Sequence, residues 1–117
     1  MDLRLFIKNT ITAHPEGIRA DEASKASSGL CLTLSQFCDA YAKEVADGYL
    51  VGRYTWTEGD VAMNSLWGYI SHSLMKDIPI PDFSFGVFLA FDSGETTSEP
   101  ENEMITKNLL KNLDNGA

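Results

Sequence analysis

Residues 49–64, YLVGRYTWTEGDVAMN, decide the predicted fold. The first half of this stretch, Tyr49–Trp56, is rich in aromatic and β-branched residues, which are enriched in strands. Residues 57–60, TEGD, are polar and contain a glycine, as is typical of a turn, and residues 61–64 become apolar again. This order predicts a β-hairpin.

Three helices are predicted ahead of the hairpin. Residues 2–13 carry apolar positions on one helical face, residues 19–27 form a short helix with an alanine face, and a third helix runs from Thr33 or Ser35 to Asp47-Gly48. The apolar positions of the first and third helices are Leu3, Phe6, Ile7, Ile11, Leu34, Phe37, Cys38, Tyr41 and Val45. Residues 14–17, HPEG, are expected to end the first helix.

Residues 65–117 are predicted to add a helix, a strand and a C-terminal helix. Residues 65–77 have helical apolar spacing, and the two prolines of residues 78–81 favour an extended connector. Residues 83–91 alternate with period two, which predicts a buried strand. A Ser98-x-x-Glu101 capping box predicts a final helix over residues 99–113.

The predicted class is therefore α+β. Residues 1–98 are expected to form a single globular domain with its extension, and residues 99–117 a C-terminal amphipathic helix with a short tail. A chain of 117 residues is long enough for one hydrophobic core without a metal or a disulfide.

Two segments carry a resemblance to a known family. Residues 14–23, HPEGIRADEA, resemble the entry to the second helix of winged-helix domains, and residues 46–51, ADGYLV, resemble the exit from the third helix into the wing. Over residues 3–64 the chain is similar to a winged helix-turn-helix domain. The resemblance implies a core of three helices plus a β-hairpin, and extensions of such cores often serve dimerisation.

The resemblance also implies a contact surface. In winged-helix domains the third helix enters the major groove, and its outward side chains and the wing meet the partner. Transferred to this chain, and joined by the exposed positions of the hairpin, the candidate partner-binding residues are Ser35, Gln36, Asp39, Lys43, Glu44, Arg53, Tyr54, Trp56 and Glu58.

The charge of the chain disfavours nucleic acid on that surface. Nine Lys plus Arg stand against seventeen Asp plus Glu, for a net charge of −8. Affinity for duplex DNA rises with the number of phosphates that a protein neutralises, yet the third helix offers Asp39 and Glu44 beside Lys43, and the turn carries Glu58 and Asp60.

Two functional hypotheses remain open from the sequence. The first is a small acidic regulatory protein that binds another protein, in the manner of antirepressors and of the host-factor inhibitors of phage and mobile elements. The second is a dimeric winged-helix DNA-binding transcriptional regulator, which requires Arg19, Lys25, Lys43 and Arg53 to gather on one face. A homodimer is compatible with both hypotheses.

Other functional classes lack a sequence signal. Neither a catalytic arrangement nor metal-ligand spacing is present, so we expect no enzyme activity, no cofactor and no metal. Cys31 and Cys38 stand seven residues apart, which fits neither a zinc knuckle nor a redox pair. The sequence shows neither a long apolar run nor a signal-peptide pattern, which predicts a cytoplasmic protein that does not bind membranes.

Overall fold

The computed structural model describes residues 2–13, 17–76 and 78–116, with side chains up to residue 113. These ranges contain six α-helices and a short 3-10 helix at Leu74–Lys76. The α-helices are α1 (Leu3–Ala13), α2 (Ala20–Gly29), α3 (Leu34–Leu50), α4 (Trp56–His72), α5 (Asp82–Gly94) and α6 (Glu101–Gly116). None of them has the length and apolar content needed to cross a membrane.

The predicted α+β class is wrong. The described residues contain no strand, so neither the β-hairpin nor the winged-helix domain that depended on it is present. Helix α3 continues to Leu50, and α4 begins only six residues later at Trp56. The winged-helix resemblance over residues 3–64 therefore does not describe this fold.

The predicted turn at residues 57–60 is the first turn of α4. The Thr55 hydroxyl accepts a hydrogen bond from the Glu58 N–H at 3.1 Å, and the Glu58 carboxylate accepts one from the Thr55 N–H at 2.9 Å. This reciprocal capping box satisfies two N–H groups at the helix start. The polar residues 57–60 therefore begin a helix, although their composition is typical of a turn.

Close packing explains why two glycines, Gly48 and Gly59, lie within helices at positions where the sequence predicted breaks. A Cβ atom on Gly59 would lie 2.6 Å from the ring of Phe91, and one on Gly48 would overlap the ring of Tyr54. Each glycine therefore gives an aromatic ring access to the helix backbone. Helix α3 ends beyond Gly48, at a turn in which Gly52 adopts a left-handed φ of 86°.

The strand predicted over residues 83–91 is wrong, because these residues belong to helix α5. Its buried positions are Ser84, Val87, Ala90, Phe91 and Gly94, a helical spacing of three and four residues. The start of α5 is fixed by α3, because the Asp39 carboxylate accepts hydrogen bonds from the Ser84 N–H at 3.2 Å and hydroxyl at 2.7 Å. Apolar residues on several sides of α5 produced the apparent alternation.

Several helices predicted from the sequence are confirmed. The predictions over residues 2–13, 19–27, 33–47 and 99–113 correspond to α1, α2, α3 and α6, with shifts at the ends. The helix predicted over residues 65–77 is the second half of α4, up to His72. The predicted break at residues 14–17 lies largely outside the described residues.

The helices enclose one hydrophobic core. Helix α5 packs against α3, α4 and α6, and α1 and α2 complete the other side through α3 and α4. The largest fully buried side chains include Tyr41, Phe37 and Phe91. The Tyr41 hydroxyl donates to the Ala62 carbonyl at 2.8 Å, which joins α3 to α4 inside the core. The radius of gyration is 13.3 Å, as expected for a single domain of this length.

Candidate functional site

The structure brings three of the predicted partner-binding residues together. Glu44 accepts hydrogen bonds from the Arg53 guanidinium at 3.0 and 3.2 Å, from the Tyr54 hydroxyl at 2.9 Å and from Arg4 Nε at 3.2 Å. Burial raises the pKa of Glu44, but the hydrogen bonds from Tyr54, Arg53 and Arg4 outweigh it and hold the pKa below its usual range. These hydrogen bonds connect α1 and the α3–α4 turn to α3.

The other predicted residues on α3 make separate contacts within the chain. Gln36 forms a capping box with Thr33, with hydrogen bonds of 3.0 and 3.1 Å. Lys43 pairs with Asp47 at 3.3 Å, and Asp39 binds the start of α5. Ser35 is half-buried and, with Asp39, lines a groove of about 740 Å³ between the start of α3 and residues 78–83.

Trp56 and Glu58 also serve the fold. Glu58 caps α4, and the half-buried Trp56 donates its indole N–H to the Thr106 hydroxyl at 2.9 Å. That hydroxyl in turn donates to the Ala90 carbonyl at 2.8 Å. The nine predicted residues are thus distributed over several structural contacts, and their role in partner binding stays a prediction.

A stack of three aromatic rings on α4 and α5 is the most distinctive surface feature. The rings of Trp67 and Phe88 lie 4.9 Å apart at 17°, and those of Trp67 and Phe85 lie 5.3 Å apart at 29°. All three side chains are half-buried. Trp67 and Phe88 also pack against the hydrophobic core, whereas Phe85 is not among the described side chains that do so. The stack therefore presents aromatic area to solvent.

A group of carboxylates lies along the same pair of helices. Asp60 of α4 is hydrogen-bonded to Glu95 and lies close to Asp92. Burial, the hydrogen bond that the protonated Asp60 carboxyl donates to Glu95 and the negative charges of Glu95 and Asp92 raise the pKa of Asp60 to about 7. Asp60 Oδ1 is buried and has no hydrogen-bond partner among the described residues. These three carboxyl groups together give this end of the helix pair a net negative charge.

The rings and the carboxylates lie along the same α4–α5 contact, because Asp60 and Trp67 of α4 are seven residues apart, as are Phe85 and Asp92 of α5. Trp67, near the end of α4, meets the first half of α5, whereas Asp60, near the start of α4, meets the end of α5, so the two helices run antiparallel. The six residues of this aromatic–acidic face are Trp67, Phe85, Phe88, Asp60, Asp92 and Glu95. Its two ends are about 10 Å apart, since seven helical residues separate Asp60 from Trp67.

The sequence did not reveal this face because the first half of α4 was assigned to a hairpin and α5 to a strand. In a strand, Phe85 and Phe88 point to opposite sides, and Asp60 was placed in a turn. The signal was present as helical spacing: Asp60 and Trp67 are seven apart, as are Phe85 and Asp92. Reading Thr55-x-x-Glu58 as a capping box would have revealed the start of α4.

The described residues contain no group of histidine, cysteine and carboxylate side chains that could hold a metal ion. Comparison with known proteins gave no match to a family model, to a curated protein or to a solved structure.

The raised pKa of Asp60 predicts an unusual pH dependence of stability. Folded Asp60 keeps its proton up to about pH 7 and the unfolded chain only up to 3.8, so the free energy of unfolding falls as the pH rises through this window. The Asp60→Asn variant should not lose stability in this way, because an amide does not ionise. We expect it to be more stable than the wild type by about 1 kcal/mol at about pH 8, after allowance for solvent screening, and nearly equal at about pH 4.

Urea unfolding at several pH values measures this difference. Asp21→Asn, which changes an exposed carboxylate on α2, is the matched control and should show no such divergence. Parallel pH profiles for Asp60→Asn and the wild type would contradict the assignment.

Proposed function

We propose that this chain acts by binding another protein through the aromatic–acidic face of α4 and α5. The stack of Trp67, Phe85 and Phe88 is the observation that carries the proposal. Aromatic side chains are enriched at the centres of protein interfaces, where a large rigid ring loses little entropy on binding. A half-exposed stack that is held in place before binding suits this role.

The negative charge of the chain favours a partner with a basic surface. With a net charge of −8, the chain attracts positively charged surfaces and steers their encounter. We therefore propose a regulatory role in which the chain occupies the basic surface of its partner, as antirepressors and host-factor inhibitors do. The proposal places this activity in the cytoplasm, which agrees with two unpaired cysteines, Cys31 and Cys38.

Ion pairing favours a protein partner over DNA. Three of the four cations that a DNA-binding surface would need are paired with carboxylates, which reduces the charge that they offer to phosphates. These ion pairs are Arg19–Asp21 at 3.4 Å, Lys43–Asp47 at 3.3 Å and Arg53–Glu44 at 3.0 Å. No wing is present among the described residues to add further contacts.

Capture from a nuclease-treated lysate of the source cells tests the proposal. We expect the immobilised wild type to retain a specific protein and Phe85→Ala to lose it, since truncating an aromatic anchor costs tenfold or more in affinity, about 2 kcal/mol. Leu5→Ala, at an exposed apolar position on α1, is the matched control and should behave as the wild type.

Thermal unfolding of both variants confirms that they are folded. Retention of the same protein by Phe85→Ala, or loss of all retained protein after nuclease treatment, would contradict the proposal.

A further inference from the structure

We infer that the occupant of the aromatic–acidic face is a cationic amphipathic helix, whose apolar side chains cover the ring stack while an Arg or Lys one to two turns away pairs with the carboxylates. This inference rests on the proposed function and specifies the kind of partner. The juxtaposition of the two ends of the face carries it.

The spacing of the face matches a helix. The ring stack and the carboxylates are about 10 Å apart along α4, which equals the rise of seven helical residues. An occupant helix with apolar residues at i and i+4 and a cation at i+7 therefore presents both groups on one side. Helix-in-groove recognition uses anchors at these positions.

The acidic end attracts a cation. Asp60 and Glu95 share a hydrogen bond, and Asp92 adds a third carboxyl group to the same region. Asn64 Nδ2 lies 3.5 Å from Glu95 Oε2, which is the limit of a hydrogen bond. Glu95 and Asp92 are exposed, so an incoming guanidinium reaches them without rearrangement of the core. Such a cation relieves repulsion within the group.

The same charges disfavour a second copy of this chain. In a two-fold contact across the face, each group of carboxylates would meet either the carboxylates or the rings of the second copy, and neither supplies a cation. Duplex DNA and anionic lipid are disfavoured for the same reason. A basic amphipathic helix complements both ends of the face, with apolar side chains on the rings and a cation at the carboxylates.

Binding of synthetic peptides to the full chain tests the inference. The probe is a helical peptide of about 18 residues with Leu at i and i+4 and Arg at i+7 and i+11, compared with versions carrying Glu for Arg or Ser for Leu. We expect the Arg peptide to quench or shift the tryptophan fluorescence of the chain, to which Trp56 and Trp67 both contribute, and both altered peptides to bind at least about tenfold more weakly.

Protein variants locate the contact. At about pH 8, where Asp60 is ionised, Asp60→Asn/Glu95→Gln should weaken the Arg peptide about tenfold, whereas Asp21→Asn/Glu101→Gln, which removes the same charge from exposed positions elsewhere, should weaken it less than about twofold.

The outcomes separate the two proposals. Failure of the Arg peptide to bind, equal binding of the Glu peptide, or equal affinity of both charge variants would overturn the inference. Loss of the captured protein by Phe85→Ala would then still support the proposed function. A dimer of the chain alone that Phe85→Ala dissociates, measured by sedimentation, would assign the face to a second copy and overturn the inference.

Discussion

Replacing Phe91 with alanine is expected to lower the free energy of unfolding by about 4 kcal/mol, because it leaves a cavity where α3, α4 and α5 meet. Phe91 is fully buried, and its ring lies 5.4 Å from that of Tyr49 and 6.2 Å from that of Trp56. It also covers Gly59, which has no side chain to fill the space. Since domains of this size are stable by about 5–15 kcal/mol, the loss would be between about a quarter and four fifths of the total stability.

Leu89→Ala is the matched control for this prediction. Leu89 lies two residues before Phe91 and is 42% exposed, so its truncation should cost less than about 1 kcal/mol. In a strand the two side chains would share one face, and both truncations would be costly. Urea unfolding of Phe91→Ala, Phe91→Leu and Leu89→Ala measures the difference, and equal losses for the two alanine variants would contradict the helical assignment of residues 82–94.

Thr106→Val is expected to cost about 2 kcal/mol, although it keeps the shape of a fully buried side chain. The Thr106 hydroxyl accepts from the Trp56 indole at 2.9 Å and donates to the Ala90 carbonyl at 2.8 Å, which links α6 to α4 and α5. Valine removes the acceptor and leaves the indole N–H without this partner in a half-buried position. Urea unfolding with tryptophan fluorescence measures the loss.

Two further variants separate the hydroxyl from the methyl group. Thr106→Ser keeps the hydroxyl and should cost about 1 kcal/mol, whereas Thr12→Val, at an exposed position on α1, should change stability by less than about 0.5 kcal/mol. A larger loss for Thr106→Ser than for Thr106→Val would show that packing of the methyl group, rather than the hydrogen bonds, matters at this position.

The sequence predicted helices where apolar spacing was regular and the ends were clear. Helices α1, α3 and α6 have one apolar face each, and the periodicity found them. The periodicity did not identify helix α5, because this helix packs against three others and is apolar on several sides. Its buried positions from Ser84 to Gly94 follow helical spacing, but apolar residues between them also fit an alternating pattern.

Two glycines near the α3–α4 junction predicted breaks where the structure has helix. Local propensity assigns Gly48 and Gly59 to breaks, yet both lie within helices because the rings of Tyr54 and Phe91 occupy the space above them. That reason lies in tertiary packing and has no local signature. The capping box of Thr55 and Glu58 was a local signal, but the aromatic and β-branched residues before it favoured a strand.

The candidate site depended on these assignments. Glu44, Arg53 and Tyr54 were singled out as outward positions of a recognition surface, and the structure joins them in a network within the chain. The aromatic–acidic face emerges only when both α4 and α5 are helical and antiparallel. No single segment of sequence contains it, because its residues come from positions 60–67 and 85–95.

Nuclear Overhauser effects from the Trp67 indole protons test the central claim most directly. The structure places the Phe85 and Phe88 rings 5.3 and 4.9 Å from that of Trp67, so both rings should give cross-peaks to the indole in the free protein. If residues 83–91 formed a strand, Phe85 and Phe88 would point to opposite sides. Cross-peaks from the indole to both rings are the result that this account predicts, and cross-peaks to only one ring, or to neither, would contradict the helical face and the binding surface built on it.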